Sequence, residues 1–221
     1  MCYCGRDSTK RGQVSIMFRQ NRRNLLAIFI TLLVVFEMIA YVSTTPRPQE
    51  QFFQFYVLGA NRMAAGYYPN NDSNIRLKQP VKWYVGLTDL MGNVQLVSIR
   101  VKLGNEITSA PDDVKGVPSP APQVAEFMRV LQDNETWELP FVWQIMNSSM
   151  IQGSTSILEL QINNQSFLTQ NATARNGYNF RLIFELWTWN VDSGALEFGW
   201  WQATEHHVAW LQLWFNATAA A

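Results

Sequence analysis

The sequence has 221 residues, of which 48% are hydrophobic and 15% are charged, and its formal net charge at neutral pH is zero. A chain of this length and apolar content can bury a substantial core, so a disordered protein is excluded, and one large domain or two small ones can form. Because no excess of positive charge is available to contact phosphate groups, we predict no nucleic-acid partner.

The N-terminal segment combines a basic stretch with a long apolar one. Residues 25–42, LLAIFITLLVVFEMIAYV, contain Glu37 as their one acidic or basic residue. At about 1.5 Å of rise per residue, this run just crosses a hydrocarbon layer of about 30 Å. The sequence therefore predicts a transmembrane helix over residues 24–42, and the lipid bilayer is its expected partner. Six cations against the single anion Asp7 precede it: Arg6, Lys10, Arg11, Arg19, Arg22 and Arg23.

The flanks of this helix predict its orientation and argue against a cleaved signal peptide. The basic stretch is long for a signal peptide, and no small-x-small pair stands at the end of the apolar run. Positive residues stay on the cytoplasmic side, so residues 1–23 are predicted to be a cytoplasmic tail, and the rest a domain outside the cell membrane. Glu37 allows two interpretations: a carboxylate tolerated near the interface, or a polar contact with another membrane helix.

Both cysteines, Cys2 and Cys4, lie in the predicted cytoplasmic tail. The exported part therefore contains no disulfide and must be held together by packing. A Cys-x-Cys pair can bind a soft metal ion or carry a palmitoyl group beside the membrane. No further ligand-type residues cluster nearby, so an unmodified reduced tail is the preferred interpretation, and we predict neither a metal nor a cofactor.

The exported part begins with a polar stalk and continues as a series of short strands. Residues 43–51, STTPRPQEQ, are predicted to form an extended spacer. Turn chemistry at residues 89–92 and 190–194 predicts two hairpins. Residues 52–217 are therefore predicted to be one antiparallel β-sandwich, which makes the fold class all-β with one N-terminal transmembrane helix. The runs with strand character are residues 52–58, 81–87, 93–103, 138–146, 157–163, 179–189, 195–201 and 207–215.

Two neighbouring segments lack a clear strand pattern. The segment 110–123 contains four prolines and is predicted to be a loop inside the domain. The run VAEFMRVL that follows fits both helical spacing and strand alternation, since Phe127 and Leu131 belong to both patterns.

Asn-x-Ser/Thr sequons occur only after the predicted membrane helix. Acceptors of this kind lie on exposed loops or turns of exported proteins, so their number predicts a glycosylated extracellular surface. The six candidates are Asn71, Asn134, Asn147, Asn164, Asn171 and Asn216.

Catalytic and metal-binding motifs are poorly represented. The sequence has no Gly-x-Ser-x-Gly elbow, no His-Glu-x-x-His helix and no Gly-rich phosphate loop, so we predict no catalytic residues and no enzyme activity. Adjacent residues on a strand point to opposite faces, so His206 and His207 are not expected to reach one metal ion together. One of them with Glu205 or Met146 would be a weak copper site, and ordinary hydrogen-bonded histidines are preferred.

Tryptophans are concentrated in the last strands. In RLIFELWTW, residues 181–189, strand alternation gives two largely apolar faces, so this strand is predicted to be covered on both sides. If it pairs with HVAWLQLWF, four tryptophans form matching rows: Trp187 and Trp189 beside Trp210 and Trp214. Structural packing is the preferred role, so Trp187→Ala or Trp210→Ala is expected to lower the melting temperature by many degrees. A glycan-binding platform and a docking face for a partner are the alternatives.

Four motifs give the chain a resemblance to a known family. They are Leu58-Gly59 at a strand end, the segment 68–71, Glu135-Thr136-Trp137 before a strand, and the closing segment 211–214. Residues 52–217 resemble the archaeal domain of unknown function 1616, in the version with a single membrane helix found in ammonia-oxidising archaea. The resemblance implies an immunoglobulin-like sandwich used as a cell-surface module, favours a strand for VAEFMRVL, and implies no activity.

Together these observations predict a membrane-anchored, non-catalytic binding or structural protein of the archaeal cell surface. Its exported domain is expected to dock onto a membrane-complex or surface-layer protein. The alternative is a module that binds or processes glycans through the tryptophan rows.

Overall fold

The computed structural model describes residues 9–45 and 50–218, which form two separate units divided after Gln49. In the first unit, one helix, α1 Thr9–Thr44, begins inside the segment expected to be the basic tail and continues two residues past the predicted end of the membrane span. Its part Asn24–Thr44 is long and apolar enough to cross a membrane, with a mean hydropathy of 2.6. The apolar side chains of this part are exposed along the helix, as a lipid-facing helix requires. Cys2, Cys4 and residues 46–49 of the stalk lie outside the described residues.

The secondary structure of the second unit is β-strands and one short 3-10 turn within residues 50–218. All eight predicted strand regions are present, VAEFMRVL is a strand, and three strands come in addition: β2, β8 and β12, which meets a predicted strand only at His207. The strands are β1 Phe52–Leu58, β2 Asn74–Arg76, β3 Val81–Leu90, β4 Gln95–Asn105, β5 Gln123–Leu131, β6 Thr136–Ile151, β7 Ser154–Ile162, β8 Gln165–Arg175, β9 Phe180–Asn190, β10 Ala195–Phe198, β11 Trp200–Gln202, β12 Glu205–His207 and β13 Trp210–Thr218, with a short 3-10 turn at Pro69–Asn71.

Two sheets make the predicted immunoglobulin-like sandwich. One has the strand order β1-β3-β6-β7-β8, and the other has β2-β13-β9-β4-β5 with β10 added beside β9. All pairs are antiparallel except β2 with β13. Strands β1, β3 and β6 take the A, B and E positions of an immunoglobulin sheet, while β4, β9 and β13 take C, F and G. The hairpin β7–β8 extends the first sheet where strand D would lie.

Aromatic side chains fill the space between the sheets. Trp83 and Trp143 are fully buried, with ring centroids 5.2 Å apart, and Phe141 lies 5.0 Å from Phe184 of the opposite sheet. Trp143 also packs on Phe215 at 4.7 Å. Such pairs stabilise a core beyond the area that they bury. Since both cysteines precede the domain, this packing takes the place of the disulfide that joins the sheets in many immunoglobulin domains.

Strand β9 is covered on both faces, as its sequence predicts. The residues Leu182, Phe184 and Leu186 point into the core, and the outward-pointing Ile183 and Glu185 are buried as well. The proline-rich segment 109–122 lies over that outer face and places Ser119 against Glu185, where the Ser119 backbone N–H donates to the carboxylate at 2.7 Å. A loop, rather than a third sheet, therefore explains the second apolar face.

The hairpin predicted at residues 89–92 is wrong. Strands β3 and β4 belong to different sheets, so this turn is a corner where the chain crosses the sandwich. Asp89 is fully buried there, and its Oδ1 accepts a hydrogen bond from the Met91 backbone N–H at 2.9 Å. Turn residues reverse the chain locally and do not decide which sheet the next strand joins. The second predicted hairpin, at residues 190–194, does connect the paired strands β9 and β10.

Asp89 makes the stability of this corner dependent on pH. Burial raises the pKa of Asp89 above its usual value, and the nearby Asp133 and Glu135 raise it further. A carboxyl with a raised folded-state pKa stabilises the fold at low pH, and that contribution is lost as the pH rises through the folded-state pKa. Urea unfolding should therefore find Asp89→Asn at least as stable as the parent at neutral pH. The difference should shift in favour of the parent as the pH falls toward the usual carboxyl pKa, and a difference independent of pH would contradict this.

Candidate functional site

The four tryptophans singled out in the sequence lie on the outer face of the second sheet, but they do not form matching rows. The register of β9 with β13 places Trp210 opposite Glu185 and Trp214 opposite Arg181. Trp187 and Trp210 are half-buried, whereas Trp189 and Trp214 are 42% and 38% exposed. The four side chains are therefore spread along the sheet.

Two of these indoles are already covered by cations of the same domain. The Arg100 guanidinium lies 3.7 Å from the centre of the Trp187 ring, and the Arg181 guanidinium lies 4.8 Å from that of Trp214. Arg181 also donates to Gln212 Oε1 at 2.6 Å. These faces are consequently occupied by intramolecular cation–π contacts and are not free platforms.

A buried ion pair lies between the two covered indoles. Lys102 Nζ is 2.9 Å from Glu185 Oε2 and also donates to the Ser119 carbonyl at 2.6 Å. The Trp187 indole N–H donates to the same carboxylate at 3.1 Å. The pair is closed off from solvent by the segment 109–122, so its role is to hold this segment onto the sheet.

The end of the second sheet near the β9–β10 turn carries an open cleft of 380 Å³. Trp189 from β9 and Trp201 from β11 line it, and Trp201 is the more exposed, at 52%. Glu197 from β10 lies between them in sequence and shares the cleft. Polar side chains complete the lining: Gln95, Asn190 and Asp192. This is the place where exposed indole faces and polar groups converge, as a ligand site requires.

Hydrogen bonds fix the carboxylate of Glu197 in this cleft. Its Oε2 accepts from Asn190 Nδ2 at 2.8 Å and from the Trp201 indole N–H at 3.2 Å. Hydrogen bonds from Ser193 and Asn190 lower the pKa of Glu197 below its usual value. The group is therefore ionised at neutral pH, and it is held at the edge of the Trp201 ring.

A small ribbon formed by β11 and β12 presents Trp201. The two strands pair as Trp200 with His207 and Trp201 with His206. Trp200 turns inward and packs edge-on against Phe53 at 5.3 Å, whereas Trp201 points outward. Strand alternation thus explains why the two neighbouring tryptophans of the GWW motif differ in exposure. The sequence pattern predicts one strand over residues 195–201, whereas the structure breaks it before this ribbon, between Phe198 and Trp200.

Gly199 causes that break. Its φ is +82°, a conformation that residues with a Cβ rarely adopt, and a methyl group there would overlap the carbonyl oxygen of His207. Its backbone N–H donates to Leu186 at 2.9 Å, and its carbonyl accepts from Thr188 Oγ1 at 2.6 Å. Gly199 therefore attaches the ribbon to β9 while turning the chain away from it.

Gly199→Ala is expected to displace the ribbon and open the cleft. The cost should exceed the roughly 1 kcal/mol that a left-handed non-glycine conformation carries by itself, because a steric overlap is added. Gly194→Ala is the matched control, since Gly194 has a φ of +64° and no atom near the added methyl group. Urea unfolding measures the loss of stability, and the fluorine NMR signal of Trp201 in the chain labelled with 5-fluorotryptophan measures the displacement of the ribbon. Equal losses in both variants would contradict this role of Gly199.

The two histidines lie on opposite faces of the ribbon, as adjacent strand residues do. His206 packs at a tilt against Trp201, with ring centroids 4.8 Å apart, and His207 stacks on Trp200 at 5.6 Å. His207 Nε2 is 3.8 Å from the Glu205 carboxylate. No group of three or more His, Cys, Asp and Glu side chains that could hold a metal ion occurs within residues 9–45 and 50–218.

The predicted glycan acceptors differ in the exposure and hydrogen bonding of their asparagine side chains. Asn71, Asn134, Asn147 and Asn164 are exposed. Asn171 lies in β8, and its side chain is outside the described part. The Asn216 side chain is already hydrogen-bonded within the domain. Its Nδ2 donates to Asn74 at 2.8 Å, and its Oδ1 accepts from the Asn179 backbone N–H at 3.0 Å.

Comparisons with known proteins give only distant structural similarity. A scan against protein-family models gives no match, and neither does a search of curated proteins. A solved β-glucosidase from Listeria innocua in complex with gluconolactone aligns at 9% identity and a TM-score of 0.33, over 77% of this chain and 17% of that one. The sporulation control protein Spo0M from Bacillus subtilis aligns at 7% identity and a TM-score of 0.33, over 76% of this chain and 50% of that one. TM-scores this low support no inference about activity.

Proposed function

We propose that the chain is a single-pass membrane protein of the archaeal cell surface that holds a non-catalytic, glycosylated β-sandwich outside the membrane and docks it onto a membrane or surface-layer partner. The observation that carries this proposal is the combination of an apolar helix segment, Asn24–Thr44, with a domain that exposes Trp189 and Trp201 beside Glu197. The proposed family, the domain of unknown function 1616, rests on the motifs in residues 52–217.

The orientation in this proposal follows from the charges around the helix. The cations before residue 24 favour a cytoplasmic N-terminus. All six sequons follow the helix, and the exposed ones, such as Asn134 and Asn164, lie where a glycan can be attached. Both features support an extracytoplasmic domain.

The environments of the carboxylates near the tryptophans support a binding role for the domain rather than catalysis. A general acid needs a raised pKa, whereas hydrogen bonds lower the pKa of Glu197. Glu185 is ion-paired with Lys102 beneath a loop and out of reach of a substrate. The two carboxylates nearest the tryptophans thus have structural or ligand-contacting environments.

Protease treatment of intact cells that express the chain with a C-terminal epitope tag tests the topology. We expect the tag to be lost while a membrane-protected fragment that contains the helix remains. A cytoplasmic protein of the same cells, intact throughout, serves as the control. A tag that is digested only after the membrane is permeabilised would contradict the proposed orientation.

Glycan binding is the second candidate function, favoured by the exposed indole faces of Trp189 and Trp201. Aromatic faces next to hydrogen-bonding groups can hold a sugar ring as well as a protein side chain. The hydrogen-bonding groups that line the cleft beside the two indoles distinguish a sugar ligand from a protein ligand.

A further inference from the structure

The domain binds its own arginines by a recurring arrangement of an aromatic ring and a carboxylate. The Arg62 guanidinium lies 4.2 Å from the centre of the Tyr84 ring and donates to Glu138 at 2.7 Å. Arg100 lies over Trp187 and donates to Glu126 at 2.8 Å. A third case follows the same pattern, with Arg129 placed 5.9 Å from the Trp137 ring and 2.7 Å from Glu135.

The physical basis of this arrangement is the shape of the guanidinium group. Its flat face stacks on an aromatic ring, while the N–H groups at its edge reach a carboxylate in the same plane. The lysine ammonium cannot make both contacts in this way, because its charge is compact and has no flat face. The three cases therefore define a guanidinium site by two components, a ring and a nearby carboxylate.

The cleft contains the same two components without a cation. The Trp201 indole is 52% exposed, and its N–H group contacts the Glu197 carboxylate at 3.2 Å. Trp189 offers a second exposed ring, and Asp192 adds a second negative charge. Within the described residues, no Lys or Arg side chain lines this cleft. His206 contacts the Trp201 ring from an adjoining cleft that Trp201 and Glu197 also line.

The hydrogen-bonding capacity left in the cleft also favours a donor-rich ligand. The Asn190 amide and the Trp201 indole N–H already donate to Glu197, and the Thr188 hydroxyl donates to the Gly199 carbonyl. The Gln95 amide, which also lines the cleft, donates to Asn93 Oδ1. The charged groups of the cleft, Glu197 and Asp192, are acceptors when ionised. A sugar hydroxyl both donates and accepts, so an acceptor-rich lining satisfies only part of its hydrogen-bonding capacity, whereas a guanidinium group supplies donors alone.

We propose that this cleft binds an arginine side chain presented by a partner protein, with the guanidinium stacked on Trp201 and its N–H groups donating to Glu197. This inference rests on the proposed function, since it names the chemistry by which the partner is recognised. Because the site is open to solvent, its electrostatic contribution is screened by salt.

The test is a titration of the full chain, labelled with 5-fluorotryptophan, in a sugar-free polyoxyethylene-ether detergent, followed by fluorine NMR. The probes are the peptide acetyl-Gly-Arg-Gly-amide and its citrulline counterpart, which has nearly the same shape and no charge. We expect the arginine peptide to shift the Trp201 signal saturably, and the citrulline peptide to bind at least about tenfold more weakly. Raising the salt concentration from about 20 mM to about 500 mM should weaken binding of the arginine peptide.

Variants provide the matched controls. Glu197→Gln should weaken binding of the arginine peptide at least about tenfold. Glu138→Gln removes a carboxylate already occupied by Arg62 and should leave binding within about twofold of the parent. If Glu197→Gln disturbs the fold, the fluorine signals of the other tryptophans will shift as well. In that case the difference in affinity between the arginine and citrulline peptides for the parent chain still tests the proposal.

Equal shifts by both peptides, no shift by either, or a saturable shift caused by maltotriose or chitotriose instead would overturn the proposal. These failures are distinguishable from a failure of the proposed function. A chain that still crosslinks to a partner at the cleft, but ignores the arginine peptide, would keep its docking role and lose only this assignment of the ligand.

Discussion

Trp83→Ala is expected to destabilise the domain by about 3–5 kcal/mol, a large part of the usual stability of a folded domain. Trp83 is fully buried and contacts Phe141 and Trp143 of the neighbouring strand β6 and Phe184 of the opposite sheet. Its indole N–H also donates to the Tyr67 carbonyl, so the substitution leaves both a cavity and an acceptor without its donor. Urea unfolding of the full chain in detergent, followed by tryptophan fluorescence, measures the loss.

Trp201→Ala is the control of the same residue type, because this indole is half exposed. It should cost less than about 1 kcal/mol, since little buried area is lost. A similar loss in both variants would show that the ribbon, and not the space between the sheets, is the centre of stability. Trp187→Ala and Trp210→Ala, predicted from the sequence to be strongly destabilising, should fall between the two, because both side chains are half-buried.

Glu185→Gln is expected to be the second most damaging change, at about 3 kcal/mol, because it leaves the buried Lys102 ammonium without a negative partner. Adding Lys102→Met to this variant should restore part of the loss, since a buried unpaired charge costs more than its replacement by an apolar side chain. The measurement is urea unfolding of the parent, the two single variants and the double variant. A double variant that is less stable than either single variant would contradict the account of this ion pair.

The fold class could be predicted from the sequence because the signals for strands and turns are local and recur along the chain. The strands were recognisable from alternation and turn residues, and the two-sided burial of β9 followed from its two apolar faces. Strand β8 was missed since its sequence, QSFLTQNATAR, is largely polar. It is an edge strand held by backbone pairing with β7, and only one row of its side chains, with Phe167, reaches the core.

The site was predicted less well because it depends on register and on one backbone conformation. Alternation placed the tryptophans of β9 and β13 on one face, but a register that sets Trp210 opposite Glu185 keeps them apart. Trp201 belongs to the cleft only because Gly199 turns the chain. A glycine inside a strand pattern is a signal for such a break, but the aromatic residues on both sides of Gly199 give the run the appearance of one continuous strand.

Site-specific photocrosslinking tests most directly whether the cleft is where the anchored domain meets its partner. A benzophenone amino acid placed at position 191 of the full chain, in native membranes, should give a discrete crosslinked product with another protein, because the exposed Val191 side chain lines the cleft and makes none of the proposed contacts. The same amino acid at position 168, where the Leu168 side chain is 84% exposed on the other sheet, should not. No product at position 191, or the same products from both positions, would contradict the assignment of the cleft as the docking site.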